Sequence, residues 1–156
     1  MLECSVIILN WNGEAMLRRY LPSVIQYTQL EGVEIVVADN GSTDASLEFL
    51  HSQPVRIIEL GENLGFAEGY NRAIEQVESK YVVLLNSDVE VTSNWLDTLL
   101  NYARAHEDVV AIQPKILSWQ SKEDAIKAGS SEILFEHAGA AGGMIDILGY
   151  PYCRGR

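Results

Sequence analysis

Four apolar runs set the terms for this chain: residues 6–9, 33–38, 55–60 and 81–85, each strand-sized and rich in Val, Ile and Leu. They do not alternate cleanly between apolar and polar, so both faces of each strand are expected to be buried. That pattern belongs to a parallel sheet covered by helices on both sides. The segments between them carry helical spacing instead. Met16, Leu17, Tyr20, Leu21 and Val24 mark a first helix within 16–25, and Leu47, Phe49 and Leu50 mark a second. Residues 66–77 form an expected third, and Trp95, Leu96, Leu99, Leu100 and Ala103 a fourth. Ser42 or Thr43 is expected to cap the second helix and Ser93 the fourth. A fifth strand is expected over 109–112, ended by Pro114.

The fold class that follows is α/β, a Rossmann-like, mostly parallel sheet with helices on both faces. After Lys115 the alternation stops. SWQSKEDAIKAGSS reads as a polar loop, HAGAAGG is too glycine-rich to assign, and the remainder reads as loops and short strands against the sheet edge. With no linker and no repeat, residues 1–156 are expected to form one domain. The chain stops at CRGR with no closing helix or strand, so a fragment of something longer is expected.

Composition removes several functions. Eleven Lys and Arg against 22 Asp and Glu leave a formal charge of −11, which argues against a protein that tracks nucleic-acid phosphates. A phosphorylated small molecule remains open, because backbone N–H groups or a divalent cation can hold it. Cys4 and Cys153 lie far apart without C-x-x-C spacing, as expected of reduced thiols in a cytoplasmic protein. No basic segment precedes the first apolar run, so no signal peptide is read, and no run reaches transmembrane length.

In open α/β sheets, ligands bind beyond the carboxyl ends of the strands. There this chain places Asn10 and Asn12, then DNGSTD (39–44), then GENLG (61–65), then Asn86, Ser87 and Asp88. Asn, Asp and Gly are also what turns are made of; four consecutive strand ends of this kind nevertheless build one polar crevice. LNWNGEAM lacks the G-x-G-x-x-G of a dinucleotide fold, and neither a Walker Gly-Lys-Ser/Thr nor a G-x-S-x-G elbow occurs. His51 and His106 read as surface residues. What remains is a nucleotide held by side chains and a diphosphate held by a cation. Asp39 can accept the imide N–H of a uracil or thymine. Asp88 is a hard oxygen ligand suited to Mg2+ or Mn2+, whose shell the ligand's own phosphates complete. Gly65, Ala67 and Gly69 open a helix whose amides favour anions and whose backbone a sugar or phosphate can approach.

The ordered set VIILNWNG, IVVADNGSTDAS, LGENLGFAEGYNRAI and YVVLLNSDVEVTSNWL resembles the inverting family 2 glycosyltransferases of the GT-A fold. Within them it is most similar to a bacterial, rhamnosyltransferase-like branch, and the likeness runs in order over residues 5–115. The resemblance puts residues 9–12 where the family's P-T-Y-N segment touches base and ribose, with Asn10 at the threonine. It puts Asp39 on the aspartate that reads the pyrimidine, and residues 86–88 on the D-x-D motif. Asp88 is then the metal-binding carboxylate, while Asn86 replaces the motif's first acid. Gly69, Tyr70 and Asn71 stand where many members carry A-R-N, so that arginine is lost, and Arg72 faces elsewhere on the helix.

The nucleotide-sugar-binding set implied is Asn10, Asn12, Asp39, Gly41, Asn63, Gly65, Gly69, Asn71, Asn86, Ser87 and Asp88, with Asp88 alone on the metal. Residues 1–115 would be the nucleotide-binding core and 116–156 the opening of an acceptor-side region. The resemblance implies transfer with inversion from dTDP-rhamnose or a UDP-sugar to a saccharide or lipid-linked acceptor. That chemistry belongs to cell-envelope polysaccharide synthesis, in the cytoplasm at the inner face of the membrane. The family's carboxylate base lies C-terminal to everything matched, so it is expected beyond Arg156; Glu136, His137 and Asp146 are not taken for it. The expectation is a chain that binds donor and transfers sugar poorly alone. The alternative is a catalytically inert nucleotide-sugar-binding module.

Overall fold

The computed structural model describes residues 1–114, 116–131, 133, 143–145 and 151–153. The chain divides into two compact units, Met1–Leu96 and Asp97–Arg156.

In the first unit the order is β1 (Leu2–Asn10), α1 (Glu14–Tyr27), β2 (Val33–Asp39), α2 (Ser46–Leu50), β3 (Arg56–Glu59), α3 (Gly65–Ile74) and β4 (Ser79–Leu85). All four strands are parallel, side by side as β3-β2-β1-β4. The chain therefore steps outward from β1 to β3, and α3 then returns it to the opposite side of β1. Such a reversal leaves an opening at the carboxyl ends of the two strands that flank it, here β1 and β4. The register aligns these ends: Asn10 faces Asp39, Asp39 faces Glu59, and Ile8 faces Leu85.

Side-chain alternation explains the layers. Ile7, Val36, Ala38 and Ile58 form one buried cluster with Tyr70 and Ala73 of α3. Val6, Ile8 and Val37 point to the other face by the period of the pleat, and are equally buried. α1 buries Leu17, Leu21 and Val24, each such side chain stabilising the fold by roughly 1.5–3 kcal/mol. α3 can approach β1 closely because residue 69 is glycine; a Cβ there would lie 2.9 Å from Leu9 Cδ1. Cys4 is buried in β1, and burial, with Glu3 adding, pushes its thiol up to about 11.

α2 is not capped by Ser42 or Thr43. It begins at Ser46 behind Ala45, and its Ser46 N–H donates to Asp44 Oδ1 at 3.0 Å. Ser42 and Thr43 are engaged with the β1–α1 loop instead, as described below.

α4 (Trp95–Ala105) spans the junction between the units. It starts two residues after Ser93, with the Trp95 N–H bonded to Thr92 O at 3.3 Å. Beyond it, two expectations are corrected. Residues 109–112 are not a strand: Val109 N–H closes a turn on His106 O, and Val110 is fully exposed. An apolar run becomes a strand only where another strand lies alongside to take its hydrogen bonds, and among the described residues none does.

The segment read as a polar loop contains a helix, α5 (Trp119–Ala128). Ser118 Oγ accepts from Ser121 N–H at its start, and Gly129 ends it in the left-handed conformation at φ 64°. Pairs one turn apart, Trp119 to Glu123 and Gln120 to Asp124, brace its surface. The short strands expected near the end are present as an antiparallel pair, β5 (Gly143–Ile145) and β6 (Pro151–Cys153). No helix among the described residues is long and apolar enough to cross a membrane.

Candidate functional site

The loop after β1 and the loop after β2 are stitched together by side chains. Asn10 donates through Nδ2 to Asp39 Oδ1 at 3.0 Å and to Ser42 Oγ at 3.1 Å. Ser42 returns its N–H to Asp39 Oδ2 at 2.9 Å and accepts the Asn12 N–H at 2.9 Å. Asn12, held at φ 50°, accepts the Thr43 N–H at 2.7 Å. Asp44 takes the Glu14 N–H at 3.0 Å, so the β2 loop caps the first turn of α1. Desolvation is the largest single influence on the Asp44 carboxyl and raises it, but the hydrogen bonds from the Ser46 hydroxyl and from the Glu14 and Ser46 N–H groups together outweigh it and lower the acid from its ordinary value.

Asp39 thus lies at the floor, 2% exposed, with one internal donor on each oxygen. Asn10 is 1% exposed, and its Oδ1 has no hydrogen-bond partner among the described residues. Gly13 makes room for that oxygen, since a side chain at residue 13 would strike it. Trp11, between the two asparagines, stands 56% exposed at the rim.

A residue that sequence reasoning passed over joins the third loop to this pair. Asn40 is 2% exposed and donates to Asn63 Oδ1 and Gly65 O, both at 3.1 Å. Its own Oδ1 accepts the Leu64 N–H at 2.9 Å. Gly41, at φ +74°, lets the two loops touch: a Cβ there would lie 2.6 Å from Glu62 Cα. Gly41 and Gly69 are therefore glycines for close packing inside the protein. Gly65 differs, for at φ +76° nothing lies within 4 Å of where a Cβ would be, and its surface is open. Asn71 sits six residues into α3, about 9 Å along the axis from Gly65, and is not drawn into these contacts. Arg72 turns away as expected, paired with Glu68 at 2.8 Å and Glu75 at 3.3 Å.

On the other side of β1, Asn86 and Asp88 are exposed and Ser87 half-buried. Tyr70 of α3 supports this tip from below, its hydroxyl donating to Leu85 O at 3.0 Å. Burial raises the Tyr70 phenol above its ordinary value; a backbone contact with Leu9 lowers it, and the nearby charge of Asp88 raises it. Asp88 accepts no side-chain hydrogen bond from another described residue, in contrast to Asp39 and Asp44, so its oxygens are available.

No group of three or more His, Cys, Asp or Glu among the described residues is arranged to hold a metal. One exposed carboxylate without a hydrogen-bond donor among the described residues does fit a hexacoordinate cation that takes its remaining ligands from phosphate and water. Glu136, His137 and Asp146 lie outside the described residues. A cleft of about 350 Å3 lined by Thr28, Glu34, Pro54 and Arg56 opens at the amino ends of β2 and β3. There Glu34 and Arg56 pair at 3.4 Å, so the cleft presents neither charge unpartnered.

The loops of this crevice fall inside a match to the family model described as glycosyl transferase family 2, which covers residues 5–140. The chain belongs to that family. This family 2 chain is 27% identical over 113 residues to an uncharacterized glycosyltransferase of Haemophilus influenzae, covering 69% of the chain and 35% of that protein. It is 29% identical over 124 residues to the N-acetylglucosaminyl-diphospho-decaprenol L-rhamnosyltransferase of Mycobacterium tuberculosis, covering 71% of the chain and 40% of that protein. Among solved structures, S. aureus TarS 1-349 in complex with UDP-GlcNAc superposes with a TM-score of 0.61 at 24% identity, over 68% of this chain and 32% of that one. The shared architecture is the GT-A fold expected from the sequence. The chain spans about a third of the length of the first two curated relatives, at 35% and 28%.

Proposed function

We propose that the crevice at the ends of β1, β2 and β4 binds the donor of a glycosyltransferase, a nucleotide-diphosphate-sugar carrying uracil or thymine. The observation that carries this reading is a division of labour among three aspartates. Asp39 is buried and bonded on both oxygens, Asp44 caps a helix, and Asp88 is exposed across the topological switch point and accepts no side-chain hydrogen bond from another described residue. A base-reading side and a phosphate side are thereby separated by β1. The UDP-GlcNAc bound by the TarS neighbour, and the UDP in a second TarS complex, support a donor of this class.

In this reading the exposed face of Trp11 stacks on the base, and Asp39 keeps a lone pair on each oxygen for the pyrimidine imide. Asn12 borders the ribose, and the open backbone at Gly65 admits the sugar. Asp88 would hold Mg2+ or Mn2+, which supplies Lewis-acid stabilisation of the departing diphosphate. The acceptor hydroxyl, on a saccharide or lipid-linked glycan, attacks the anomeric carbon as the bond to the diphosphate breaks, inverting that centre. Its proton passes to a carboxylate base that we assign to no described residue. A dTDP-rhamnose donor and a cell-envelope acceptor are the finer form of this proposal; the mycobacterial relative, an L-rhamnosyltransferase named for a diphospho-decaprenol acceptor, supports rhamnose and a lipid-linked acceptor.

A second reading, an inert nucleotide-sugar-binding module, draws support from Asn86, which leaves Asp88 without an acidic partner two residues before it. A thermal-shift panel of UDP, dTDP and NAD, each with and without Mn2+, tests the ligand class. Stabilisation by a pyrimidine diphosphate only with metal is expected; stabilisation by NAD without metal would overturn it. Turnover of UDP- or dTDP-sugars with a saccharide acceptor separates transferase from module.

A further inference from the structure

Asn86, Ser87 and Asp88 make no side-chain hydrogen bond to another described residue, yet the segment that carries them begins and ends on buried anchors. Leu85 is the last residue of β4, and the sheet pairing with β1 ends there, opposite Ile8. Its carbonyl is taken by the hydroxyl of Tyr70, 3% exposed in the core cluster of α3. At the far end, the N–H of buried Val91 donates to Ser23 Oγ of α1 at 3.2 Å. One anchor comes from α3 and the other from α1. Between them, residues 86–90 are exposed or half-buried.

We propose that Tyr70 and Ser23 are positioning residues that fix the height and direction of Asp88 over the crevice, and so set the affinity of its phosphate side. The inference rests on the reading of Asp88 as the cation-binding carboxylate. Its physical basis is leverage. Asp88 is three residues past Leu85, up to about 10 Å of extended chain, so a small rotation at the end of β4 displaces its carboxylate by an ångström or more. Displacements of that size matter where a ligand is held by geometry. Neither hydroxyl bonds to Asn10, Asp39, Ser42 or Asn40, which brace the base side. Ser23 lies apart from that set, while Tyr70 also meets the backbone of Leu9, one residue before Asn10. Loss of the Ser23 anchor is therefore expected to be felt by the phosphate half of the ligand only, and loss of the Tyr70 hydroxyl chiefly by that half.

The test uses Tyr70→Phe, which keeps the ring against Phe66 and Ala73, and Ser23→Ala as the second variant. UDP binding with Mn2+ is measured by calorimetry, uridine binding by NMR titration, and amide hydrogen exchange over residues 86–90 in the ligand-free protein. For Tyr70→Phe we expect UDP–Mn2+ affinity to fall about tenfold, as for one lost buried hydrogen bond, with uridine affinity unchanged. Exchange at 86–90 should quicken in both variants. Equal losses for UDP and uridine would make these residues merely structural, and unchanged UDP affinity in both variants would overturn the inference. If the unaltered protein binds UDP no better with Mn2+ than without, the reading of Asp88 fails and this inference with it.

Discussion

Replacing Gly41 with alanine tests how the crevice is built. Two penalties add. The left-handed backbone at φ +74° costs a non-glycine residue about 1–2 kcal/mol. The new Cβ would also meet Glu62 Cα at 2.6 Å, Glu62 C at 2.7 Å and Asn63 N at 3.0 Å. These are backbone atoms, so no side chain can swing aside. Restoring a contact of roughly 3.5 Å requires the loops to part by nearly an ångström. That stretches the Asn40 bonds, now 2.9–3.1 Å, towards breaking, each contributing about 0.5–1.5 kcal/mol. The total expected is about 3–5 kcal/mol, read as a lower urea midpoint at unchanged slope. Gly65→Ala is the internal control: its φ is +76° but its Cβ meets nothing, so only about 1–2 kcal/mol should be lost. Gly65→Ala should instead weaken nucleotide-sugar binding. If the two variants lose stability equally, the close approach of the loops is not what residue 41 serves.

Other expectations are simpler. Asn40→Ala removes three hydrogen bonds inside the protein and should cost about 2–4 kcal/mol in urea unfolding, whereas Asn71→Ala, exposed on α3, should stay within about 0.5 kcal/mol. Trp11→Ala should leave the unfolding midpoint nearly unchanged, since the ring is 56% exposed, yet abolish the quenching of tryptophan fluorescence by UDP. Cys4 gives a pH dependence. Its thiol ordinarily ionises near 9.0 and in the fold near about 11, so over that window the unfolded chain has released a proton that the native one keeps. Stability should therefore fall as pH rises from 9 to 11, by about 2–3 kcal/mol, and Cys4→Ala should flatten that slope.

The first unit was legible because β1 and β2 are buried on both faces and announce themselves as apolar runs. β4, at one edge of the four strands, departs from that expectation, with Val82 38% and Leu84 52% exposed on one face. Parallel pairing in register then brings the polar residues that follow them to one edge, which is why Asn10, Asp39 and Asp88 could be grouped before any contact was known. What composition hid was the partner of each group. Asn40 reads as one more turn residue in DNGSTD, and its role exists only once the third loop lies against it. Ser42 and Thr43 sit at cap distance from a helix, but the β1 loop is nearer and takes them. Tyr70 drew notice only as a missing arginine, although a buried phenol needs an acceptor and Leu85 O supplies it. Apolar patterning alone misleads at residues 109–112 and at α5 for one reason, that it reports burial and not the partners or caps that make an element. Val110 is apolar and fully exposed, while α5 buries only Ala125 and is specified by Ser118 and Gly129 at its ends.

Everything proposed here about function turns on Asp88. Calorimetric titration of UDP into the protein and into Asp88→Asn, each with and without Mn2+, isolates its charge while keeping its shape. The account predicts tighter UDP binding with Mn2+ in the unaltered protein, and loss of that gain in Asp88→Asn with the metal-free affinity preserved. An equal gain from Mn2+ in both proteins would show that the cation, if bound, is held elsewhere, and would contradict the assignment of the phosphate side to the tip of β4.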